Sequence, residues 1–566
     1  MSTGLSAVFD RYPRFDELTG WLREFADEYP DLVELDTIGS SYDGRELWLL
    51  TVTNRATGNH AHKPALWLDG NIHATEVTAT VALVHLVNLL CAGYGTDPRI
   101  TRALDTRTFY IVPRLNPDGA ELALAEVPTV VRSTTRPWPI AEQLDGLIPG
   151  DIDHDGRQLQ MRVVDPNGMW KAYGPDPRLL VAREPDDDGT GPYYRLLTEG
   201  RVQGYDGMQV QAAPQMAGID SNRNFPAGWV RKVPGGAGGG GDYPGSEPEV
   251  AALLAAVTAR PNICGYFAYH TFAGYHLRPF CDQPDSAYPA DDLWTYEALG
   301  ERATAITGYP CASTWHGFRY HPSEVITGVS TDFMYGHLGV YAWVTEFWNP
   351  LHAAGLHDRH PIDWYRVHSL DDELQLLAWV DDNVNDGYVD WYPYDHPELG
   401  PVELGGWHIA KVFRNPPPHL LEAEVAPHSE LALYQALCSP LLRHRQTEVE
   451  SLGPESWRVR VAVENTGWMP TNVTQRAIEQ GAVQPLVARI ALPSEASLAA
   501  GTERITLGQL TGRALHTSAM RQFGTIDPAT DMAIAEWIVT APAGTEVTVE
   551  FQHDRAGRVN VSITLT

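Results

Sequence analysis

The stretch Ala65–Val77 reads ALWLDGNIHATEV and decides the interpretation of the whole chain. It begins with the apolar run Ala65–Leu68, which is typical of a buried strand, and breaks at Asp69-Gly70. His73 and Glu76 then precede a long apolar pattern with helical spacing. A histidine and a carboxylate three residues apart at a strand-to-helix turn can hold one metal ion from the same side. The stretch therefore predicts half of a metal site, whose other half lies far away in the chain.

The pattern His-x-x-Glu occurs three times, and only its surroundings separate the copies. The pairs are His73–Glu76, His321–Glu324 and His419–Glu422. The second lies in a proline-containing loop, and the third follows three consecutive prolines. Only the first follows a strand and a glycine turn and precedes a helix, which is the context that favours metal binding.

Length, charge and cysteine usage bound the class of protein. A chain of 566 residues is too long to fold around a single hydrophobic core, so two or more domains are expected. The net charge of −31 disfavours nonspecific binding to nucleic acid or to an anionic membrane. The first residues lack a secretory signal pattern, and five scattered cysteines without CxxC spacing fit a reducing compartment. We therefore expect a cytoplasmic globular protein with no nucleic-acid or membrane partner, and the oligomeric state stays open.

Apolar periodicity predicts an α/β fold for the first domain, expected at residues 1–395. Helical spacing occurs near residues 14–30, 76–90, 246–258, 291–306 and 363–384, with a capping-box pattern at Ser246 and Glu249. Strand-like runs occur near residues 33–38, 46–53, 65–68, 108–113, 263–269 and 340–344. This alternation favours a mixed or parallel sheet with its sites at the carboxyl ends of the strands.

An insertion is expected at about residues 133–217, where the periodic pattern gives way to proline, glycine and aspartate. Asp151, Asp153, Asp155 and the glycine that follows resemble the start of a calcium loop. Position twelve of such a loop is Arg162, where a bidentate glutamate would be needed. Both a calcium site and a solvated acidic turn are compatible with this pattern.

The C-terminal part has a different composition. Residues 396–440 are rich in proline and glycine in their first half and are interpreted as a connector. Residues 441–566 contain short alternating runs separated by turns, which predict an Ig-like β-sandwich. No readable site lies in the sandwich, so we expect a structural role for it.

Five further residues have the chemistry of a metal-dependent hydrolytic site. His270 ends a predicted strand and can be a third ligand, although a hydrogen-bonded histidine at a sheet edge gives the same pattern. Glu346 ends an aromatic strand, where a carboxylate is costly unless it is solvated or moves a proton. Asn222 and Arg223 can hold a carboxylate, and Arg132 can stabilise a developing negative charge.

The order of these segments resembles that of the zinc metallocarboxypeptidases, or funnelins. The matching segments are HATE at residues 73–76, NPDG at 116–119, DSNRN at 220–224, AYHT at 268–271, STDF at 330–333 and VTEF at 344–347. The resemblance covers residues 8–385 apart from the insertion. It implies a mixed eight-stranded sheet flanked by helices.

The resemblance also implies a role for each residue. A peptide with a free C-terminal carboxylate is the implied substrate, and one zinc ion per chain is the implied cofactor. The implied zinc ligands are His73, Glu76 and His270. The remaining implied roles are general base for Glu346, oxyanion stabiliser for Arg132 and carboxylate binding for Asn222 and Arg223.

Some positions depart from the family pattern. Thr75 stands where the family has a second arginine near the His-x-x-Glu motif. The flexible tyrosine of the family aligns with Glu324, so Tyr320 is a shifted candidate, and Arg136 is an alternative to Arg132. The position that sets side-chain preference is Thr331, and this neutral residue favours a neutral or apolar terminal residue in the substrate.

Two alternatives to a carboxypeptidase follow from the same residues. One is an amidase of the same fold that acts on cell-wall peptides with D-amino or γ-linked residues, or on glutamate tails. The other is a catalytically inactive binding protein whose sandwich recruits a partner.

Overall fold

The chain begins with alternating strands and helices, close to the predicted bounds. The computed structural model describes residues 6–231, 238–319, 321, 323, 325–516, 518, 520 and 529–566. The first elements are α1 (Phe15–Glu28), β1 (Val33–Ser40), β2 (Glu46–Val52), β3 (Ala65–Gly70), α2 (Thr78–Gly93), α3 (Pro98–Thr106), β4 (Thr108–Val112) and α4 (Pro117–Ala123), with 3-10 turns at Arg55–Thr57 and His60–His62. Every residue of β3 is buried, as its apolar run predicts.

The segment predicted to be an insertion folds into short strands. They are β5 (Gly146–Pro149), β6 (Gln160–Val164), β7 (Trp170–Tyr173), β8 (Asp176–Ala182), β9 (Tyr194–Thr198) and β10 (Gly200–Gln203). β5 pairs with β10, and the other four strands join two strands that come much later in the chain. Sequence alternation is weak in this segment because many of its side chains are only half-buried.

The α/β pattern then resumes. The next elements are α5 (Pro248–Thr258), β11 (Ile263–Thr271), β12 (Tyr275–Arg278), α6 (Ala290–Thr307), β13 (Cys311–Ser313), α7 (Thr314–Gly317), α8 (Ser330–Gly336), β14 (Tyr341–Phe347), α9 (Pro350–Ala353), α10 (Pro361–Arg366) and α11 (Leu370–Asn383), with 3-10 turns at Ser221–Arg223 and Asp285–Ala287.

Two local predictions in this region were wrong. The capping box does not form, because Glu247 is the N-cap of α5 and the Ser246 hydroxyl donates to Glu247 Oε1 (2.7 Å) instead. The single helix expected at residues 363–384 is divided into α10 and α11. Ser369 begins the second of these helices by accepting a hydrogen bond from the backbone N–H of Asp372 (3.1 Å).

The eight strands of the first domain pair in the order β1-β2-β4-β3-β11-β14-β12-β13. This confirms the mixed eight-stranded sheet. β4, β3, β11 and β14 are parallel to one another, so their carboxyl ends open at one edge of the sheet. The loops that follow these four strands are therefore neighbours in space.

Residues 396–440 are folded elements. β15 (Tyr388–His396) and β16 (Gly400–Trp407) complete a six-stranded sheet with β6, β9, β7 and β8. A π-helical turn (Ala410–Arg414) and α12 (Pro418–Cys438) follow. α12 packs against α2, which explains why α2 is apolar almost all round. The predicted domain limits stay predictions.

The C-terminal residues form the predicted β-sandwich. Its elements are β17 (Leu442–Gly453), β18 (Ser456–Asn465), α13 (Gln475–Glu479), β19 (Leu486–Ala491), β20 (Ser497–Ala500), β21 (Arg504–Gly508), β22 (Met532–Thr540), β23 (Glu546–His553) and β24 (Gly557–Thr564). They form two four-stranded sheets, β17-β18-β22-β20 and β21-β19-β23-β24. Val459, Trp537 and Phe551 are buried between the sheets.

Buried polar contacts join the sandwich to the first domain. Arg555 Nη1 donates to Gly339 O (2.9 Å) and Asn472 O (3.0 Å). The carboxylate of Asp292 accepts from the backbone N–H groups of Gln475 (2.7 Å) and Arg476 (3.0 Å) at the start of α13.

Among the described residues, no single helix is long and apolar enough to cross a membrane, although α2 and α3 together, bent by 103°, meet that test of length and composition.

Candidate active site

Three buried side chains converge at the carboxyl edge of the parallel strands. His73 and Glu76 lie in the loop between β3 and α2, and His270 lies near the end of β11. His73 Nδ1 is 2.9 Å from Glu76 Oε1, and His270 Nδ1 is 2.9 Å from Glu76 Oε2 and 3.1 Å from His73 Nδ1. Two imidazole nitrogens and a carboxylate in such proximity can hold one metal ion, and a His₂Glu set is the kind of donor set found at catalytic zinc sites.

Asn71 holds the loop that carries the first two of these residues. It follows β3 with a φ of 58°, a left-handed conformation that asparagine adopts more readily than most residues. Its Nδ2 donates to His73 O (2.7 Å), and its Oδ1 accepts from Nε of the buried Arg114 (3.1 Å). These contacts fix the backbone next to His73 without help from a metal.

Asp220 orients the ring of His73. Its Oδ1 is 3.1 Å from His73 Nε2, and its Oδ2 accepts from Arg132 Nε (3.0 Å). An ionised carboxylate only accepts hydrogen bonds, so Asp220 can accept a proton carried by His73 Nε2, and the lone pair of Nδ1 is then available to a metal ion where the three side chains converge. This is the tautomer that a zinc ligand needs, and the donor set therefore fits the metal.

The charges around Asp220 and Glu76 keep both carboxyl groups ionised. Burial alone would raise the pKa of Asp220, but Arg132, Arg223 and His73 outweigh it and hold that pKa well below its usual range. For Glu76, burial is likewise outweighed by His73 and His270, and the pKa lies well below its usual range. Both groups are thus negative at neutral pH.

Glu346 lies directly across from His270. The two residues are register partners on the parallel strands β14 and β11. Burial raises the pKa of Glu346 to about 8, and Glu76 adds to the shift, while His270, Arg132 and Arg414 oppose it. A carboxyl group that titrates near neutral pH can accept a proton and return it.

Of the two arginines considered as oxyanion stabilisers, only Arg132 lies in this site. Besides its contact with Asp220, its Nη1 is 3.4 Å from Glu76 Oε1. Arg136 instead forms a two-pronged pair with Glu247, at 3.0 Å and 2.7 Å. The backbone also positions Arg132, because its carbonyl oxygen accepts from the N–H of Ala74 (3.1 Å).

Asn222 and Arg223 lie beside Asp220 in a 3-10 turn. Asn222 Oδ1 accepts from the backbone N–H of Ser330 (2.9 Å), which places the pair against the start of α8 and the buried Thr331. Arg223 Nη1 donates to Asn222 O (2.8 Å), and its buried Nε has no acceptor among the described residues. The guanidinium therefore keeps donor capacity for a ligand.

The other predicted residues are not part of this cluster. Tyr320 lies outside the described residues. Asp151, Asp153 and Asp155 approach one another elsewhere, in the β-strand insertion. Asp151 accepts from the backbone N–H groups of His154 (2.7 Å) and Gly156 (2.9 Å). A calcium ion on the three aspartates stays a prediction.

Sequence reasoning missed the supporting residues. Asp220 lies inside the DSNRN segment, but its role required the distance to His73 Nε2, which comes from 147 residues earlier in the chain. Asn71 directly follows the Asp69-Gly70 break. Asparagine tolerates the left-handed backbone conformation, so its position after a strand could have predicted the tight turn that it forms there. Nothing in the pattern around Arg114 predicts its contact with Asn71.

Comparison with known proteins agrees with this geometry. The zinc carboxypeptidase family model (Peptidase_M14) matches residues 18–177 and 191–353, more than half of the chain. A domain of unknown function, DUF8731, matches residues 441–564, which form the sandwich.

Individual relatives match shorter segments. Carboxypeptidase D of Anas platyrhynchos is 33% identical over 111 residues, which are 20% of this chain and 8% of that protein. A zinc carboxypeptidase of Saccharothrix mutabilis subsp. capreolus is 32% identical over 114 residues, 20% of this chain and 26% of that protein. The matches thus span well under two thirds of either relative. A crystal structure of thrombin activatable fibrinolysis inhibitor aligns with a TM-score of 0.39 and 19% identity, covering 67% of this chain and 75% of that one. On the evidence of the family match over both halves of the eight-stranded sheet, the chain belongs to the zinc carboxypeptidase family.

Proposed function

We propose that the protein is a zinc-dependent carboxypeptidase that hydrolyses the C-terminal peptide bond of peptides. The observation that carries this proposal is the convergence of His73, Glu76 and His270 with Glu346 in register beside them. A zinc ion held by the three ligands would act as a Lewis acid and lower the pKa of a bound water toward ~7.

The protein residues supply the proton transfers. Glu346 accepts a proton from the attacking water and later delivers it to the nitrogen of the leaving amine. Burial raises the pKa of Glu346 from its ordinary value toward neutral pH, and a useful general base titrates near the working pH. Arg132 offers its guanidinium to the oxygen that becomes negative in the transition state.

The terminal carboxylate of the substrate binds to Asn222 and Arg223. Arg223 has a buried Nε without an acceptor among the described residues, which a carboxylate would satisfy. This contact makes the enzyme an exopeptidase. The neutral Thr331 close to it favours a neutral or apolar terminal side chain, and Tyr320 is a candidate for a further contact to the substrate.

A digest of a peptide library tests the proposal. The zinc-loaded wild type is expected to remove C-terminal residues one at a time, and mass spectrometry shows each loss. Glu346→Gln is expected to keep the zinc and to lose about 10²–10⁴-fold in rate.

Other outcomes of the same digest have clear meanings. Activity confined to D-amino or γ-linked peptides would support the amidase instead. Full zinc occupancy without hydrolysis of any peptide would support an inactive binding protein.

A further inference from the structure

Arg414 belongs to a part of the chain that follows the family match. The match ends at residue 353, and Arg414 is the last residue of the π-helical turn between β16 and α12. π-Helical turns are rare, and those that occur are often found at functional sites. The contacts of this turn with the active site therefore indicate whether Arg414 can take part in substrate binding.

Hydrogen bonds fix this turn against two loops of the active site. Trp348, two residues after Glu346, donates from Nε1 to Val412 O (2.8 Å). Asn415 Nδ2 donates to Thr75 O (2.8 Å), between the two ligands of the HATE segment. Asn415 Oδ1 accepts from Thr78 Oγ1 (2.8 Å). Arg414 thus lies on a backbone held at both ends by the site.

The guanidinium of Arg414 is half-buried and forms no ion pair with a carboxylate in the described part of the chain. None of the described carboxylates forms an ion pair with it, although the chain has 72 acidic residues. Its positive charge reaches Glu346, where it lowers the pKa against the larger effect of burial. A half-buried arginine without an ion-pair partner keeps its donors available to the carboxylate of a ligand.

Aromatic side chains surround the turn. The ring of Phe413 lies 5.5 Å from that of Tyr365 and 6.3 Å from that of Phe272, which is two residues beyond His270. Tyr365 is 45% exposed to solvent. The cation therefore lies at an accessible, largely apolar rim of the site.

Arg223 and Arg414 are both connected to the predicted zinc ligands through side-chain and backbone contacts. A continuous series of contacts runs from Arg223 to Asp220 (3.9 Å), from Asp220 to His73 (3.1 Å) and from His73 to Glu76 (2.9 Å). It continues through Thr75, the neighbour of Glu76, to Asn415 and its neighbour Arg414. A peptide whose terminal carboxylate binds Arg223 and whose scissile bond lies at the ligands can present its preceding residue to Arg414.

We propose that Arg414 binds the side-chain carboxylate of the penultimate residue, so that the enzyme prefers substrates with an acidic residue before the scissile bond. The inference rests on the proposed carboxypeptidase function. Thr75 leaves room for this, because no second cation occupies the loop between His73 and Glu76.

Three blocked dipeptides test this inference. They share one apolar terminal residue and differ in the preceding residue, which is Glu, Gln or Leu. The wild type is expected to favour Glu over Gln. Arg414→Gln is expected to lower the ratio of kcat/KM for the Glu substrate to that for the Gln substrate by about 10- to 100-fold, the range for a hydrogen bond between charged groups. Any effect of the lost charge on Glu346 is common to all three substrates and leaves this ratio unchanged. Arg414→Glu is expected to disfavour the Glu substrate further.

Lys411→Gln is the matched control, because Lys411 is an exposed cation of the same turn that pairs with Asp386 (3.7 Å). It is expected to leave the Glu-to-Gln ratio unchanged. Zinc content and melting temperature of each variant show whether the site is intact.

The outcomes separate the two proposals. An unchanged Glu-to-Gln ratio in Arg414→Gln, or an equal loss on all three substrates, overturns the role of Arg414 while leaving the carboxypeptidase function in place. A zinc-loaded wild type that cleaves none of the three overturns both.

Discussion

Asp220→Asn is expected to weaken zinc binding while it preserves the shape of the site. Oδ1 of the carboxylate is 3.1 Å from His73 Nε2 and accepts from the backbone N–H of Asn222 (2.8 Å), and Oδ2 accepts from Arg132 Nε (3.0 Å). An amide has only one oxygen, so at least one of these donors must face an NH₂ group instead. The substitution also removes the negative charge that favours the proton on Nε2.

The size of the effect follows from the kind of contact that is lost. Residues that orient a histidine ligand typically contribute 10- to 100-fold to metal affinity. The zinc Kd of Asp220→Asn should therefore rise by about 10- to 100-fold, or about 1.4–2.8 kcal/mol. Competition against a chromogenic chelator measures this affinity directly, without an activity assay.

Asp118→Asn is the matched control for this measurement. Asp118 is equally buried and also accepts from an arginine, Arg45 Nη1 at 2.7 Å, but its side chain touches none of the three ligands. It is expected to leave the zinc Kd unchanged. An unchanged Kd in Asp220→Asn, or an equal rise in both variants, would refute the orienting role of Asp220.

Three further predictions concern the rest of the molecule. Arg555→Met should lower the free energy of unfolding by about 1–3 kcal/mol, because it leaves buried carbonyl oxygens without a donor, and Arg504→Met at an exposed position should change it by less than about 1 kcal/mol. Denaturant titration of both variants checks this, and equal effects would contradict it. Deletion of residues 441–566 should give poorly soluble protein, since Met469 and Val473 are buried in the main hydrophobic core; a soluble and fully active truncation would contradict this. Calcium should raise the melting temperature of the wild type but not that of Asp153→Asn, and an identical shift in both would show that no ion binds at the acidic turn.

The sequence predicts the centre of the fold well because burial there is nearly complete. β3 and β11 are buried along their whole lengths, so their apolar runs give a clear signal. The rule that sites lie at the carboxyl ends of parallel strands then places the loop of His73 beside the end of β11. The register pairing of His270 with Glu346 follows from the same parallel sheet.

The sequence predicts the insertion poorly because its strands find partners far away. β6 pairs with β16, about 240 residues later, and much of each strand is only half-buried. Hydrophobic alternation and turn spacing in the sequence indicate only local structure, so they do not reveal a pairing between strands this far apart. The same physical reason applies to α12, where burial on several sides and an internal proline obscure the helical period.

Site residues divide in a similar way. The predicted ligands and Glu346 occur in recognisable segments, whereas the contacts of Asp220 and Asn71 and the position of Arg414 depend on the folded chain. Arg414 is the extreme case, because it reaches the site through Asn415, which lies 340 residues from its contact at Thr75.

Zinc content and hydrolysis measured on the same sample test the central claim most directly. The protein is stripped with a chelator, reloaded with increasing zinc, and assayed at each step for release of the C-terminal residue from a peptide. We predict that activity rises in proportion to bound zinc and reaches its plateau at one ion per chain. Unchanged hydrolysis by the stripped protein, or no hydrolysis at full zinc occupancy, would contradict the account.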